Sequence, residues 1–226
     1  MEIIDMAVWT TVEYNKTHKN ERLDAKYFRP SFIDDETRVK NKDHVTLGED
    51  ASHIRRGKQP DYNESGDIPV LRTVNVRENG FNSIRQDYVT QSFHSENERG
   101  QVKKHDVLIA STGAGSLGRV GFHFKDKEYF ADSHITLLRG FDKLSPFYVA
   151  AYLQSEIGKI LIDRRYRGSS GQIEIYESDI ASIPIPLIEN DKQEEIAKNK
   201  KQADKKRREA ERLHRKSKDL AAENLN

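Results

Sequence analysis

The chain has 226 residues, 33% of them charged, with 38 Lys and Arg against 37 Asp and Glu and no cysteine. That length allows one ordinary domain with an appendage, or two small ones. The absence of thiols excludes a disulfide scaffold, a cysteine nucleophile and Cys-rich zinc sites, and fits a reducing cytoplasm. No stretch approaches the roughly 18 uncharged apolar residues of a membrane span, and the opening Met1-Glu2-Ile3-Ile4-Asp5 is acidic where a signal peptide is basic. Neither a membrane segment nor secretion is expected. Ile, Val, Leu and Phe make up roughly 23% of the residues, above the ~20% floor for intrinsic disorder. A core is therefore expected in part of the chain.

Ile68-Pro69-Val70-Leu71-Arg72-Thr73-Val74-Asn75-Val76 alternates Val70, Val74 and Val76 against Leu71, Thr73 and Asn75, and runs toward the turn signal Asn79-Gly80. This predicts a strand. Val107 to Thr112 is a short apolar run of the buried-strand type. Val120, Phe122 and Phe124 alternate with Arg119, Gly121 and His123, and Ile135 and Leu137 with His134, Thr136 and Leu138. Short strands with turn punctuation predict a mostly antiparallel sheet. Ser145-Pro146 supplies a helix start, after which Ala150, Leu153, Ile157, Ile160 and Leu161 recur at helical spacing up to Arg164. Ile183-Pro184-Ile185-Pro186-Leu187 is not helix, because each proline disfavours helical geometry in the residue before it. It reads as an extended strap.

Between Asp191 and Asp219 lie twelve Lys or Arg and seven Asp or Glu, so this one segment is strongly basic while the rest is net acidic. It has no Gly or Pro, and Asn190 with Gln193, or Asp191 with Glu194, can form a capping box. A long helix is predicted from about Lys192 to near Leu220. Ile196, Ala203 and Ala210 share one row at seven-residue spacing, and Leu213 and Leu220 the adjacent one, interrupted by Asn199, Lys206 and Ser217. This is a narrow, impure coiled-coil seam set against the alternative of a solvated charged helix. The expected fold class is α+β: residues 1–188 form a mostly antiparallel sheet domain with packed helices, and residues 189–226 form the helix.

Gly113-Ala114-Gly115-Ser116-Leu117-Gly118 matches the spacing of a dinucleotide-binding loop, with Asp132 downstream as a would-be ribose ligand. The residues immediately after it carry a strand pattern, so no helix N-terminus is expected to hold a pyrophosphate, and a glycine-rich hairpin is the better reading. None of the six prolines is adjacent to another, which removes the Pro-Pro motif of adenine methyltransferases. No Glu has Lys two positions later, as a metal-dependent nuclease would require, and although Asp24/Lys26 and Asp204/Lys206 have that spacing they lie in peripheral segments. The eight histidines show no i,i+4 pair. No catalytic residue, metal site or cofactor is expected. There remains a set of side chains suited to base edges and phosphates: Arg56, Lys58, Gln59, Arg72, Asn75, Arg77, Ser111, Thr112, Arg119, Arg167, Ser169, Ser170 and Gln172. In so charged a chain, such clusters also arise as solvated faces.

The order of segments adds to this. Arg22-Leu23-Asp24-Ala25-Lys26-Tyr27-Phe28-Arg29-Pro30, Ile54-Arg55-Arg56-Gly57-Lys58-Gln59-Pro60, Asp67-Ile68-Pro69-Val70-Leu71-Arg72 and Asp106-Val107-Leu108-Ile109 are followed by Gly118-Arg119-Val120-Gly121, His134, Pro146-Phe147-Tyr148 and Tyr152-Leu153. Then come Gly168-Ser169-Ser170-Gly171-Gln172, Asp179-Ile180, the proline strap and Gln193-Glu194-Glu195-Ile196. Over roughly residues 20–200 this resembles a target recognition domain of the specificity (S) subunit of type I restriction-modification enzymes. The resemblance implies a noncatalytic DNA-binding subunit, serving defence against foreign DNA, that reads one part of a split target in double-stranded DNA. The long helix would be a spacer and docking element. It implies a modification subunit as partner, methylating adenine with S-adenosylmethionine, and a translocating restriction subunit, with S-adenosylmethionine, ATP and Mg confined to those partners. Such proteins usually carry two recognition domains and two helices. One of each here implies either a half-subunit that forms a homodimer or a piece of a longer protein. A specificity module of a split type II restriction-methylation enzyme and a coiled-coil interaction adaptor are the alternatives.

Overall fold

The apolar runs become strands and helix faces in a computed structural model, which describes residues 10–223 apart from 16, 18–21, 79, 84, 114 and 169–172. In chain order the first half contains helix α1 (Pro30–Lys40), β1 (His44–Thr46), α2 (Leu47–Asp50), β2 (Ala51–Arg56), β3 (Ile68–Leu71), β4 (Val76–Arg77), β5 (Gly80–Phe81), β6 (Tyr88–Val89) and α3 (Gln91–Glu96). A 3-10 turn (Glu98–Gly100) leads to β7 (Gln101–Val102), β8 (Val107–Ala110), β9 (Val120–Phe122), β10 (Tyr129–Ala131) and β11 (Ile135–Phe141). The chain ends with α4 (Pro146–Gln154), α5 (Glu156–Arg164), α6 (Glu177–Ala181), β12 (Pro184–Pro186) and α7 (Asn190–Glu223).

The central sheet has the order β2-β11-β8-β9 and is antiparallel throughout. A second sheet, β6-β3-β10-β7, contains one parallel pair, β3 with β10. The proline strap is β12, paired antiparallel with β1. Val107, Ile109, Val120, Phe122 and Leu138 form one core with Val149, Leu153, Leu161 and Ile162 of α4 and α5. Leu108, Ile135 and Leu137, on the opposite face, form a second core with Leu71, Val76, Val102 and Ala131. A sheet buried on both faces needs apolar residues at successive positions, which is why β8 reads as a continuous run rather than an alternation.

Two elements expected to be continuous are interrupted. The strand expected over Ile68–Val76 breaks after Leu71, where the Arg72 N–H donates to the Asn75 side chain at 2.9 Å and the Asn75 N–H donates to the Arg72 carbonyl at 2.8 Å. An Asn that satisfies the backbone this way builds a turn, and β4 resumes beyond it. The helix expected from Ser145 to Arg164 is two helices, because the Ser155 hydroxyl accepts from the Gly158 N–H at 3.3 Å and caps a new start. Gly158 lies so close to α4 that a Cβ would stand 2.1 Å from the Tyr152 carbonyl oxygen.

Helix α7 has 34 residues, about 51 Å at ~1.5 Å per residue. Neither capping box organises its start in the expected way: the Gln193 side chain turns to the domain, accepting from the Ser145 N–H at 2.6 Å and donating to the Ile188 carbonyl. Ile196 and Ala197 pack on the first core, Lys200 donates to Gln154 at 2.7 Å, and Asp204 is buried, held by Arg207 and Arg208. The expected seam therefore divides. Ile196 faces this chain's own domain, whereas Ala203, Ala210, Leu213 and Leu220 are exposed. Among the described residues, no helix is long and apolar enough to cross a membrane and no cluster of acidic and His side chains is arranged to hold a metal ion.

Helices α1 and α5 are locked by charge. Buried Glu36 meets Arg164 at 2.8 Å, Arg165 at 3.0 Å and Lys40 at 2.6 Å. Burial alone would raise this carboxyl, but the Arg165 and Arg164 guanidiniums and the Lys40 ammonium outweigh it and hold the group below its ordinary value near 4.5. Its stabilisation is thus complete above that pH and fades as pH falls through the lowered value. Glu36→Gln leaves two buried guanidiniums without their counter-charge and is expected to cost about 3–5 kcal/mol at neutral pH. Urea unfolding should also show a weaker acid dependence in the variant than in the parent chain.

Candidate nucleic-acid interface

Because β2 and β8 both run antiparallel to β11, their C-terminal ends meet its N-terminal end at one edge of the sheet. Strand β10 reaches the same edge and passes through Asp132, Ser133 and His134 into β11. The connections at this edge enclose a cleft of about 660 Å³, walled by Arg56, Lys58 and Gln59, by Thr112 and His134, and by residues of the 3-10 turn. Residues 57–60 are pinned to the sheet: Gly57 donates to the Ile135 carbonyl at 2.8 Å, Lys58 to the Ala131 carbonyl at 3.2 Å, and Pro60 is buried. A Cβ at Gly57 would stand 2.2 Å from the Ala131 carbonyl oxygen, so only glycine allows this approach.

The charges in the cleft are balanced internally. Arg56 Nη2 donates to Glu174 and to the Ile175 carbonyl, both at 2.9 Å, while its guanidinium lies 5.6 Å from the Tyr176 ring centroid. The hydrogen bond from Tyr176, followed by the contact with Arg56, holds the Glu174 carboxyl below its usual range. Arg99 donates to the Arg56 carbonyl at 2.9 Å and approaches Glu177 at 3.7 Å. Lys58 donates to Asn97, and the Thr112 hydroxyl pairs with His134 Nδ1 at 2.8 Å. Beneath them Asp132 accepts from the His134 N–H at 2.8 Å, and burial raises its carboxyl.

Of the residues expected at DNA, the fold brings Arg56, Lys58, Gln59 and Thr112 into this cleft. Arg72 lines a second cleft of about 650 Å³ with Tyr62 and Tyr88, paired with Asp87 at 2.9 Å and bonded to the Arg85 carbonyl. Others lie elsewhere. Asn75 is fully buried and serves its turn, also donating to the Asn82 carbonyl. Ser111 is fully buried, its hydroxyl shared between Thr136 and the Ile109 carbonyl. Arg167 places Nε and Nη2 on Asp179 at 2.7 and 2.8 Å, Arg77 bonds the Val76 carbonyl, and Arg119 bonds the Gly115 carbonyl and borders a different cleft. Ser169, Ser170 and Gln172 lie outside the described residues.

Sequence reasoning from side-chain chemistry missed Arg99, Asn97 and Ser133. They reach the cleft from a 3-10 turn and a strand crossing that have no periodic signal of their own. Gly100 anchors that turn, its Cα lying against the Phe130 ring so closely that a Cβ would be 2.2 Å away. The Gly-rich segment forms the β8–β9 connection, and a strand comes directly after it.

The sequence matches the family described as the type I restriction modification DNA specificity domain over residues 39–217. That match covers most of the chain, which therefore belongs to this family. Among solved structures, a protein from a study of complex assembly and conformational transition in the type I R-M system superposes with a TM-score of 0.51 at 18% identity, covering 92% of this chain and 52% of that one. The HsdS subunit from Thermoanaerobacter tengcongensis gives 0.51 at 16% identity, covering 88% and 49%. The type IIG restriction endonuclease BpuSI gives 0.59 at 10% identity, covering 84% and 30%. At these identities the likeness is one of fold, and this chain spans about half the length of the first two. Comparison with curated proteins finds no match.

Asn75→Ala tests the division between structural and surface residues. It removes the buried amide that accepts from the Arg72 N–H and donates to the Asn82 carbonyl, and is expected to cost roughly 1–3 kcal/mol in urea unfolding. The DNA affinity of the folded variant should match that of the parent.

Proposed function

We propose that this chain is the noncatalytic DNA-reading subunit of a type I restriction-modification system, acting in the cytoplasm. Its domain reads one half of a bipartite duplex target and directs adenine methylation and restriction by partner subunits, which carry S-adenosylmethionine, ATP and Mg. The observation that supports this best is the strand-end cleft of a chain in a DNA-specificity family: a rigid edge where Arg, Lys, Gln, Thr and His side chains from separate loops converge. Helix α7 supplies the spacer. Its inner half is committed to the domain, and its outer half, from Arg208 to Glu223, presents Leu213 and Leu220 half exposed among charges. We assign this outer half to the modification subunit and to a second copy of the chain, so that two recognition domains sit over separated half-sites.

A fluorescence titration of the chain with random-sequence duplex, at about 50 and about 200 mM salt, tests DNA reading. Phosphate contacts release counterions, so affinity should fall by orders of magnitude over that range. Affinity indifferent to salt would favour a protein-interaction adaptor. For the helix, replacing Leu213 and Leu220 together by Lys should abolish both self-association and capture of the methyltransferase subunit in analytical ultracentrifugation. The circular dichroism of the sheet domain should be unchanged, since neither side chain touches the core.

A further inference from the structure

We propose that Gln59 is a base-reading residue that recognises adenine from the major groove, an assignment that rests on the DNA-reading function above. Adenine presents there an amino group that donates and a ring nitrogen, N7, that accepts. A side-chain amide matches both at once, with its oxygen on the amino group and its nitrogen on N7.

The commonest specific contact to a base, a guanidinium fork on guanine, is not ready at Arg56, Arg72 or Arg167. Arg56 has Nη2 committed to Glu174 and the Ile175 carbonyl. Arg72 has Nη1 on Asp87 and Nη2 on the Arg85 carbonyl. Arg167 has its Nε and Nη2 edge on Asp179. Each guanidinium would have to break a charge-assisted bond before presenting two parallel donors.

The amides sort in the same way. Asn97 is occupied at both ends, its oxygen accepting from Lys58 and its nitrogen donating to the Phe93 carbonyl at 2.7 Å. Asn75 is buried. Gln59 differs: it is exposed, and its Oε1 receives only a long 3.5 Å contact from the Ser133 hydroxyl. Among the described residues, nothing accepts from its Nε2. The Ser133 contact marks Oε1 as the accepting end, and a duplex that offers a better donor displaces it at little cost.

Two further features suit a base edge rather than a phosphate. Gln59 stands between Gly57, fixed against the Ala131 carbonyl, and the buried Pro60, so its backbone is already ordered before any ligand arrives. The cleft around it also contains Glu96, Glu98 and Glu174. Three carboxylates beside partnered cations give no net attraction for a phosphate, whereas a neutral base edge meets no repulsion.

The test is selection of bound sequences from a random duplex library by the full chain and by two variants, each first checked for folding by circular dichroism. The parent should select a motif with adenine at one position. Gln59→Ala should lose the preference at that position alone, and Gln59→Glu, which replaces the donor by a second acceptor, should move it from adenine to cytosine, whose amino group donates to a carboxylate. Placing 7-deazaadenine at that position should weaken the parent about ten-fold or more and leave Gln59→Ala unaffected. If all three proteins select the same motif, Gln59 does not read a base and this inference fails while DNA reading stands. If the parent selects no motif and its binding ignores salt, the DNA-reading function itself is wrong and this inference falls with it.

Discussion

Strand β11 pairs with β2 along one edge and β8 along the other, and it is buried on both faces, with Leu138 toward the helices and Ile135 and Leu137 toward the second sheet. Each such side chain contributes on the order of 1.5–3 kcal/mol by leaving water. A slip of one residue would exchange the two faces, so the register is strongly determined. That register sets where β2 and β8 end and where β11 begins, and hence which loops meet at the cleft. The cleft at this edge is a consequence of core packing, and its residues need no interactions of their own to be brought together.

A chain one-third charged must place many charges where they are not free to bind anything. Glu36 holds Arg164 and Arg165, Asp179 holds Arg167, and buried Asp106 holds Arg139 at 2.7 Å. Burial nevertheless pushes the Asp106 carboxyl up to about 6, because the one guanidinium only partly offsets its desolvation. These pairs tie helices and loops to the sheet. A guanidinium with its fork on a carboxylate organises the protein, so the number of arginines in the sequence does not give the number of uncommitted cations on its surface.

Helix α7 joins two physical environments in one element. Over its first half, Gln193 and Lys200 meet the domain through polar contacts and Ile196 through apolar ones, while buried Asp204 is held by Arg207 of the same helix. Lys200 is bound to the Gln154 side chain, whose nitrogen donates to the Glu78 and Val120 carbonyls, each at 2.9 Å. One amide thus connects α7, α4, β9 and the β4–β5 connection. The rod is fixed at its base, and the direction of its outer half is set by the contacts of its inner half with the sheet domain.

Features that depend on short stretches of chain are legible in the sequence. The buried strand Val107–Ala110, the proline strap, the glycine-rich connection and the long charged helix all show in periodicity and turn chemistry, which act within a few residues. The order of short motifs was enough for the family. Long-range packing, by contrast, sets which face of each element is used and which polar groups are already bonded. The apolar spacing of Ile68–Val76 does not reveal that Asn75 would satisfy Arg72 and break the strand. The heptad spacing of Ile196 and Ala203 does not reveal that Ile196 belongs to this chain's own core. Arg56 finds Glu174 across 118 positions and Arg164 finds Glu36 across 128. Pairings at such separations arise from the packing of the whole sheet, and they separate the arginines that hold the fold from the glutamine left open at its edge.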